Sequence, residues 1–251
     1  MKDYASISNH TYFDINNKGT DYFVGDMHGK YDLFINLLNY VDFNPDCDRV
    51  FSVGDVIDRG ERSFDCLSLA RDKWFFPILG NHEKFLLDCD ELNDFKMSVW
   101  YRNGGSWWKN LSKADKSLAR NIILTEYSLT ISVQTEVGLV GLVHAEYPLS
   151  SWPVSESETC NEVLKKMLWG RDEIYSSLGK VTESIDLIVS GHTPMDDIVF
   201  NKNRFFIDTG SGYSPSEALP NPKLTMVNFE CESVNIYSSF FSGVSCKKLE
   251  L

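Results

Sequence analysis

Asp55, Asp58 and Arg59 crowd into one heptapeptide, Gly54-Asp55-Val56-Ile57-Asp58-Arg59-Gly60, which follows the strand-like run Arg49-Val50-Phe51-Ser52-Val53. Asp26 and His28 stand in Gly25-Asp26-Met27-His28-Gly29 after Tyr22-Phe23-Val24. Asn81 and His82 stand in Gly80-Asn81-His82-Glu83 after Phe75-Phe76-Pro77-Ile78-Leu79. Further on, the run 137–143 leads into His144, and 185–190 leads into Gly191-His192-Thr193-Pro194. Carboxylates, imidazoles and a carboxamide are oxygen and nitrogen donors, and their repeated placement at strand ends predicts a metal site. Each residue alone fits a plainer role: Asp58 can brace a turn, and a lone histidine is more often structural. Yet four of the five histidines sit at strand ends, and only His10 does not.

Asp26, His28, Asp55, Asn81, His82, His144 and His192 are too many donors for one open site, so a binuclear centre sharing a carboxylate is the economical arrangement. Mixed Asp/His/Asn ligation suits Mn, Fe or Zn in a catalytic role, whereas a closed structural zinc site would favour cysteine. Two metals about 3.5–4 Å apart clamp the attacking and leaving oxygens of a phosphoryl displacement. They also acidify a bridging water. Arg59 and Arg171, the latter in Trp169-Gly170-Arg171-Asp172, offer planar forks to the remaining phosphate oxygens. A surface ion pair with Asp172 or Glu173 is the plainer reading of Arg171. His82, next to Asn81, is a candidate proton donor to a leaving alkoxide.

Such donors need rigid strand ends under them. Phe34, Leu37, Leu38 and Val41 fall at i, i+3, i+4 and i+7, which predicts a helix with one face on a core. A second helix is expected over 62–71 with Phe64, Leu67 and Leu69 inward. The first 90 residues therefore read βαβαβ, the mark of a layered α/β sheet. A helix with Phe85 and Leu86 inward is expected over 82–90, then a helical excursion over 94–124, broken at Asn103-Gly104-Gly105. Trp100, Tyr101, Trp107 and Trp108 fit either a core cluster or a substrate wall, and helical spacing favours core. A hairpin over 128–133 and 137–143 follows, then a helix with Val163, Leu164, Met167 and Leu168 on one face. The strand over 185–190 comes next, and further strands over 198–200, 204–207, 223–229 and 233–237, interrupted by a loop at 210–222. An edge strand is expected at 11–15, and the strand-rich second half is expected to supply a second sheet. No repeat or linker appears, so residues 1–251 are read as one domain.

Composition narrows the partners. The chain has 251 residues and a formal net charge of −12, with 36 acidic against 24 basic side chains. That balance argues against nonspecific nucleic-acid binding, which rests on Lys and Arg contacts to phosphates. Apolar stretches are short and the N-terminus lacks a hydrophobic signal core, so no membrane span and a cytoplasmic location are expected. The six cysteines are widely spaced with no C-x-x-C pair, which fits reduced thiols.

The ordered set GD-x-HG, GD-x-x-DRG, GNHE, His144 and GHTP resembles the phosphoprotein phosphatase (PPP) branch of the metallophosphoesterases. The likeness is greatest to the bacterial and bacteriophage lambda type. It spans residues 20–210, including Asn103-Gly104-Gly105, His144-Ala145-Glu146-Tyr147-Pro148 and Asp208-Thr209-Gly210. The resemblance implies a β-sandwich flanked by α-helices with the metals at strand ends. It implies two divalent ions, most readily Mn2+ with Fe or Zn as alternatives. Asp26, His28 and Asp55 would hold one, and Asp55, Asn81, His144 and His192 the other. Arg59, Arg171 and Asn81 would bind the phosphoryl group. His82, oriented by Asp58, would protonate the leaving oxygen while a metal-bound hydroxide attacks directly, without a phosphoenzyme. The substrates implied are phosphoserine and phosphothreonine, with phosphotyrosine possible, in proteins. A symmetrical dinucleoside tetraphosphate hydrolase is the alternative, against which Asp58-Arg59-Gly60 and Glu83 argue. An inactive scaffold is disfavoured because neither a ligand nor His82 is missing. The substrate-facing tyrosine loop of eukaryotic members has only a loose match in Tyr213, so no regulatory subunit is expected.

Overall fold

The computed structural model describes residues 7–177 and 179–250. Its first half runs β1 (Ser8–Phe13), β2 (Asp21–Val24), α1 (Tyr31–Tyr40), β3 (Arg49–Ser52), α2 (Ser63–Ser68), β4 (Phe75–Pro77), α3 (Asn81–Asp88), α4 (Asp94–Arg102) and α5 (Lys113–Glu126). Then come β5 (Ser128–Thr135), β6 (Gly138–Leu142), α6 (Asn161–Trp169), α7 (Asp172–Tyr175) and β7 (Leu187–Ser190). The chain closes with β8 (Val199–Asn201), β9 (Arg204–Phe206), β10 (Leu224–Glu230), β11 (Ser233–Phe240) and β12 (Gly243–Glu250). Two six-stranded sheets result, ordered β12-β11-β10-β2-β3-β4 and β1-β5-β6-β7-β9-β8. Among the described residues no helix is long and apolar enough to cross a membrane.

Alternation of side chains along each strand divides the core in two. Phe23 and Phe51 from the first sheet meet Val133, Val140, Leu142, Val189 and Phe205 from the second, forming the layer between the sheets. Their strand neighbours Tyr22, Val24 and Val50 point outward, under Leu33, Phe34, Leu37 and Leu38 of α1. Each fully buried side chain of this kind contributes about 1.5–3 kcal/mol relative to exposure. The α1 stripe is thus the face the periodicity predicts, with Val41 half-buried just beyond the helix end. The βαβαβ reading also holds: β2, β3 and β4 run parallel, with α1 and α2 as crossovers.

The second half is not one sheet. β10 pairs antiparallel with β2, placing Met226 opposite Val24, so β10, β11 and β12 extend the first sheet. The second sheet takes β1 as its edge instead, parallel to β5 with His10 opposite Thr130. β12 has no counterpart in the sequence reading because the pattern that reveals strands is an apolar face. Its residues are almost all exposed, with Lys247, Lys248 and Glu250 along them. Charge on an outer strand keeps its unpaired edge from recruiting another chain.

Candidate active site

The parallel strands β2, β3, β4, β6 and β7 all deliver their carboxyl ends to one side of the sandwich. Asp26 and His28 follow β2, Asp55 and Asp58 follow β3, and Asn81 opens α3 after β4. His144 follows β6 and His192 follows β7. Both sheets therefore supply the cluster, and the turns that aim it are tight. Among the described residues, five of the eight non-glycine positions with positive φ are His28, Asp55, Asp58, Arg59 and His192, a concentration of backbone strain usual at working sites. Gly191 is required for another reason: a Cβ there would lie 2.0 Å from Asp26 Oδ1.

Asp55 is the hub. Its Oδ2 lies 3.9 Å from His28 Nε2, 3.8 Å from His82 Nε2 and 3.5 Å from His144 Nε2. Asp26 Oδ2 is 4.0 Å from His28 Nε2, and both Asp26 oxygens accept from the His192 backbone N–H at 3.1 Å. His28 Nδ1 lies 3.0 Å from Ile57 O and His144 Nδ1 lies 2.7 Å from Val53 O, which assigns the proton to Nδ1 in each. Their Nε2 lone pairs then face the carboxylates, the arrangement by which backbone carbonyls prepare histidine ligands. Asn81 Oδ1 stands 3.0 Å from His144 Nε2. Lone pairs converging on one point call for a cation, a proton or a metal ion.

The charge distribution makes the same demand. Asp26, Asp55, Asp58, Glu83 and Asp208 are all buried. Burial, then repulsion from Asp208 and Asp55, pushes the Asp26 carboxyl well up. Burial also works to raise Asp55, but His144, His82 and His28 outweigh it and hold Asp55 well below the usual carboxylate range. Burial and the neighbouring His144 pull His192 down to about 3, and burial with Arg59 and His82 lowers His28, so both imidazoles favour the neutral form that ligates metals. Burial works to lower His144, but the Asp55 charge and contact raise it, so positive charge at its ring is favoured; with the neutral His28 and His192, a carboxamide and crowded carboxylates, the donor set fits divalent cations.

Cations of the protein's own line the mouth. Arg59 is half-buried and Arg171 exposed. Arg59 Nη1 is 2.6 Å from His28 Nε2 and Nη2 is 3.2 Å from His82 Nε2, while Arg171 Nε donates to His192 Nε2 at 3.2 Å. Among the described residues Arg171 makes no ion pair with Asp172 or Glu173, which turn to Lys166 and Arg204. The Tyr213 ring stacks on the Arg59 guanidinium, 4.4 Å from its centroid. His82 Nδ1 is 2.7 Å from Asp58 Oδ2. Burial works to lower His82, but the Asp55 charge and the Asp58 contact prevail and raise it, favouring the protonated ring.

The ten residues singled out from the sequence therefore gather in one place. Several supporting groups were not anticipated. The Glu83 carboxylate accepts backbone N–H groups of Asp55 at 2.9 Å, Val56 at 3.0 Å and Gly80 at 3.0 Å, tying the hub loop to the start of α3. Burial and the Asp55 charge push Glu83 up to about 7. Glu146, a motif residue without an assigned role, accepts the Glu173 backbone N–H at 2.7 Å and so pins the turn after Arg171. Asp208 holds its Oδ1 on the Gly210 N–H and leaves Oδ2 buried without a partner. The Asp208-Thr209-Gly210 segment marks it as part of the resemblance, but without a role.

A family model described as calcineurin-like phosphoesterase matches residues 22–220. The chain is 35% identical over 193 residues to serine/threonine-protein phosphatase 2 of Salmonella typhimurium, covering 75% of this chain and 86% of that protein. The Escherichia coli protein of the same name is 34% identical over 197 residues, with the same coverages. A symmetrical bis(5'-nucleosyl)-tetraphosphatase of Actinobacillus succinogenes is 43% identical, but over only 70 residues, 27% of this chain and 26% of that protein. Among solved structures, one assigned as a diadenosine tetraphosphatase superimposes with a TM-score of 0.61 at 19% identity, covering 93% of this chain and 99% of that one.

Proposed function

Because the chain belongs to the calcineurin-like phosphoesterase family of metal-dependent phosphatases, we propose that it is a protein serine/threonine phosphatase working through the residues above. The observation that carries the mechanism is the Asp58–His82 contact of 2.7 Å, with His82 Nε2 turned toward Asp55 and Arg59. Asp26, His28 and Asp55 would hold one divalent ion and Asp55, Asn81, His144 and His192 another, a mixed oxygen and nitrogen set that suits manganese, with iron or zinc as alternatives. Bound there, the metals would supply Lewis acidity to the phosphoryl oxygens and acidify a water.

The chain's own residues do the rest. Arg59 and Arg171 take the phosphoryl oxygens in charge-assisted forks, with the Asn81 amide beside them. Water adds to phosphorus as the ester P–O bond breaks, its protons staying with the released phosphate until they pass to solvent, and the bonding electrons move to the serine or threonine oxygen. That oxygen takes the proton from His82 Nε2, while Asp58 steadies the imidazolium through Nδ1. Because alkoxides are poor leaving groups, this proton is worth most on phosphoserine and phosphothreonine.

The identity of over 30% to two bacterial protein phosphatases across three quarters of the chain supports the protein substrate class. So does a groove of about 690 Å³, flanked by Leu149, Val163, Trp169 and Arg171, with room for the peptide around a phosphorylated residue. The same reading treats the chain as one domain, since β10, late in the chain, pairs with β2, near its start, through Met226–Val24 and Val227–Phe23. The test is phosphate release from a phosphoserine peptide and from diadenosine tetraphosphate, with Mn2+, Mg2+, Zn2+ or chelator. Metal-dependent release from the peptide is expected. Cleavage confined to the dinucleotide would move the assignment to nucleotide hydrolysis.

A further inference from the structure

We propose that the helical insert at 94–110 is a clamp on the proton-delivery pair, in which Trp100 and Trp107 are positioning residues that act on His82 through Asp58; this rests on His82 being the proton donor. Asp58 has no exposed surface and lies on a turn with φ of 73°. A buried carboxylate needs donors for both oxygens. Its Oδ2 accepts from Trp100 Nε1 at 2.7 Å besides facing His82 Nδ1, and its Oδ1 accepts from Trp107 Nε1 at 2.6 Å. The Asp58 backbone N–H is engaged separately, by Ser63 Oγ.

The choice of indole matters. An indole N–H only donates, has no acceptor lone pair and does not ionise near neutral pH. Hydroxyls or carboxamides could reverse and let Asp58 donate; indoles cannot. With both oxygens fixed as acceptors, the ring nitrogen facing Oδ2 must bring the proton, so Nδ1 carries it and Nε2 is left to exchange with the substrate. The pair of indoles also prevents the carboxylate from rotating away from His82.

A third anchor belongs to the same insert. The Arg59 N–H donates to Gly104 O at 3.1 Å. Gly104 has φ of +106°, and a Cβ there would lie 2.4 Å from Arg59 N, so only glycine permits the approach. One short segment thereby sets both the proton donor and a phosphate-binding arginine.

Core packing alone does not explain this. Trp108 belongs to the same aromatic cluster, with ring centroids 5.5 Å from Trp100 and 6.0 Å from Trp107. It is as deeply buried as Trp100, yet its Nε1 donates to Glu91, away from the site. Packing would be served equally by three indoles pointing anywhere; two of them converge on one carboxylate.

The experiment compares metal-loaded, full-length Trp107→Phe, Trp100→Phe and Trp108→Phe on two substrates. A phosphoserine peptide expels an alkoxide that needs a proton, and 2,4-dinitrophenyl phosphate expels a phenolate that does not. Trp107→Phe is expected to lower kcat on the peptide by roughly tenfold, a fraction of the whole general-acid contribution, and to leave the aryl ester within about twofold. Trp100→Phe should do the same, whereas Trp108→Phe should lower Tm without separating the substrates. Equal losses on both substrates, or none, would overturn the clamp. His82→Asn is the benchmark. If it splits the substrates and the tryptophan variants do not, the clamp fails alone; if it does not split them, the proton-donor reading fails and the clamp with it. Should the tryptophan variants not fold, Asp58→Asn must move two indole N–H resonances and leave that of Trp108 in place; three unmoved resonances overturn the proposal.

Discussion

Asp26, Asp55 and His192 leave the ends of strands whose backbones are locked between neighbours, whereas Trp100 and Trp107 come from a short helix and a 3-10 turn outside both sheets. At the strand ends position comes from the backbone: five residues share strained φ values that the sheets enforce. In the insert position comes from side-chain reach, 42 residues along the chain from Asp58 to Trp100 and 49 to Trp107. The first device places donors that must converge on a cation. The second supplies donors to a single carboxylate from outside both sheets. Substitutions should therefore separate the two, with losses of metal on one side and losses of proton delivery on the other.

The largest effect is expected at the hub. Asp55→Asn removes the charge shared by three imidazoles and should take activity to background, with fewer than two metals bound by elemental analysis. Two metals retained at wild-type affinity would refute its bridging role. His82→Asn comes next and belongs to the other device: kcat should fall about 10²–10⁴-fold with metal content unchanged. A nearly unchanged kcat would remove His82 from the chemistry. Glu83→Gln tests whether a side chain can do for the hub loop what a strand does. Gln keeps one acceptor oxygen but not the two that serve Gly80, Asp55 and Val56. Manganese affinity, read by titration calorimetry, should weaken about 10–100-fold, as for other residues that orient ligands. An unaltered affinity would mean that the sheets alone hold Asp55.

What was legible in the sequence follows the same division. Asp26/His28, Asp55/Asp58/Arg59 and Asn81/His82 are contiguous motifs after apolar runs, because a strand end places neighbouring residues together. Helical spacing marks Trp100 and Trp107 chiefly as core. That reading is half the account: Trp100 is buried, but periodicity carries no information about where an indole N–H points. Glu83 and Glu146 stand in the motifs, but their roles are not legible for a related reason, since their partners are backbone N–H groups that no residue type advertises. β12 and the split of the second half between sheets were missed because strand pairing is non-local, and a solvent-facing edge strand has no apolar pattern.

The smallest effect should come from a residue that supports the mouth rather than the centre. Glu146 is joined to the Arg171 turn by the hydrogen bond it accepts from the Glu173 backbone N–H, and to α6 before that turn by an ion pair with Lys166 at 3.5 Å. Lys166 is half-exposed, so the ion pair adds little. The backbone bond is different: Glu146→Ala leaves a half-buried N–H without its partner, a loss of about 1–3 kcal/mol if the turn stays in place. The turn can instead swing toward water and carry Arg171 with it. KM for a phosphopeptide should then rise by up to about tenfold, the equivalent of 1.4 kcal/mol, while kcat stays within about twofold because His82 and Asp58 are untouched. A fall in kcat at constant KM would place Glu146 with the proton-delivery groups instead, and the mouth and the centre would then be one mechanical unit.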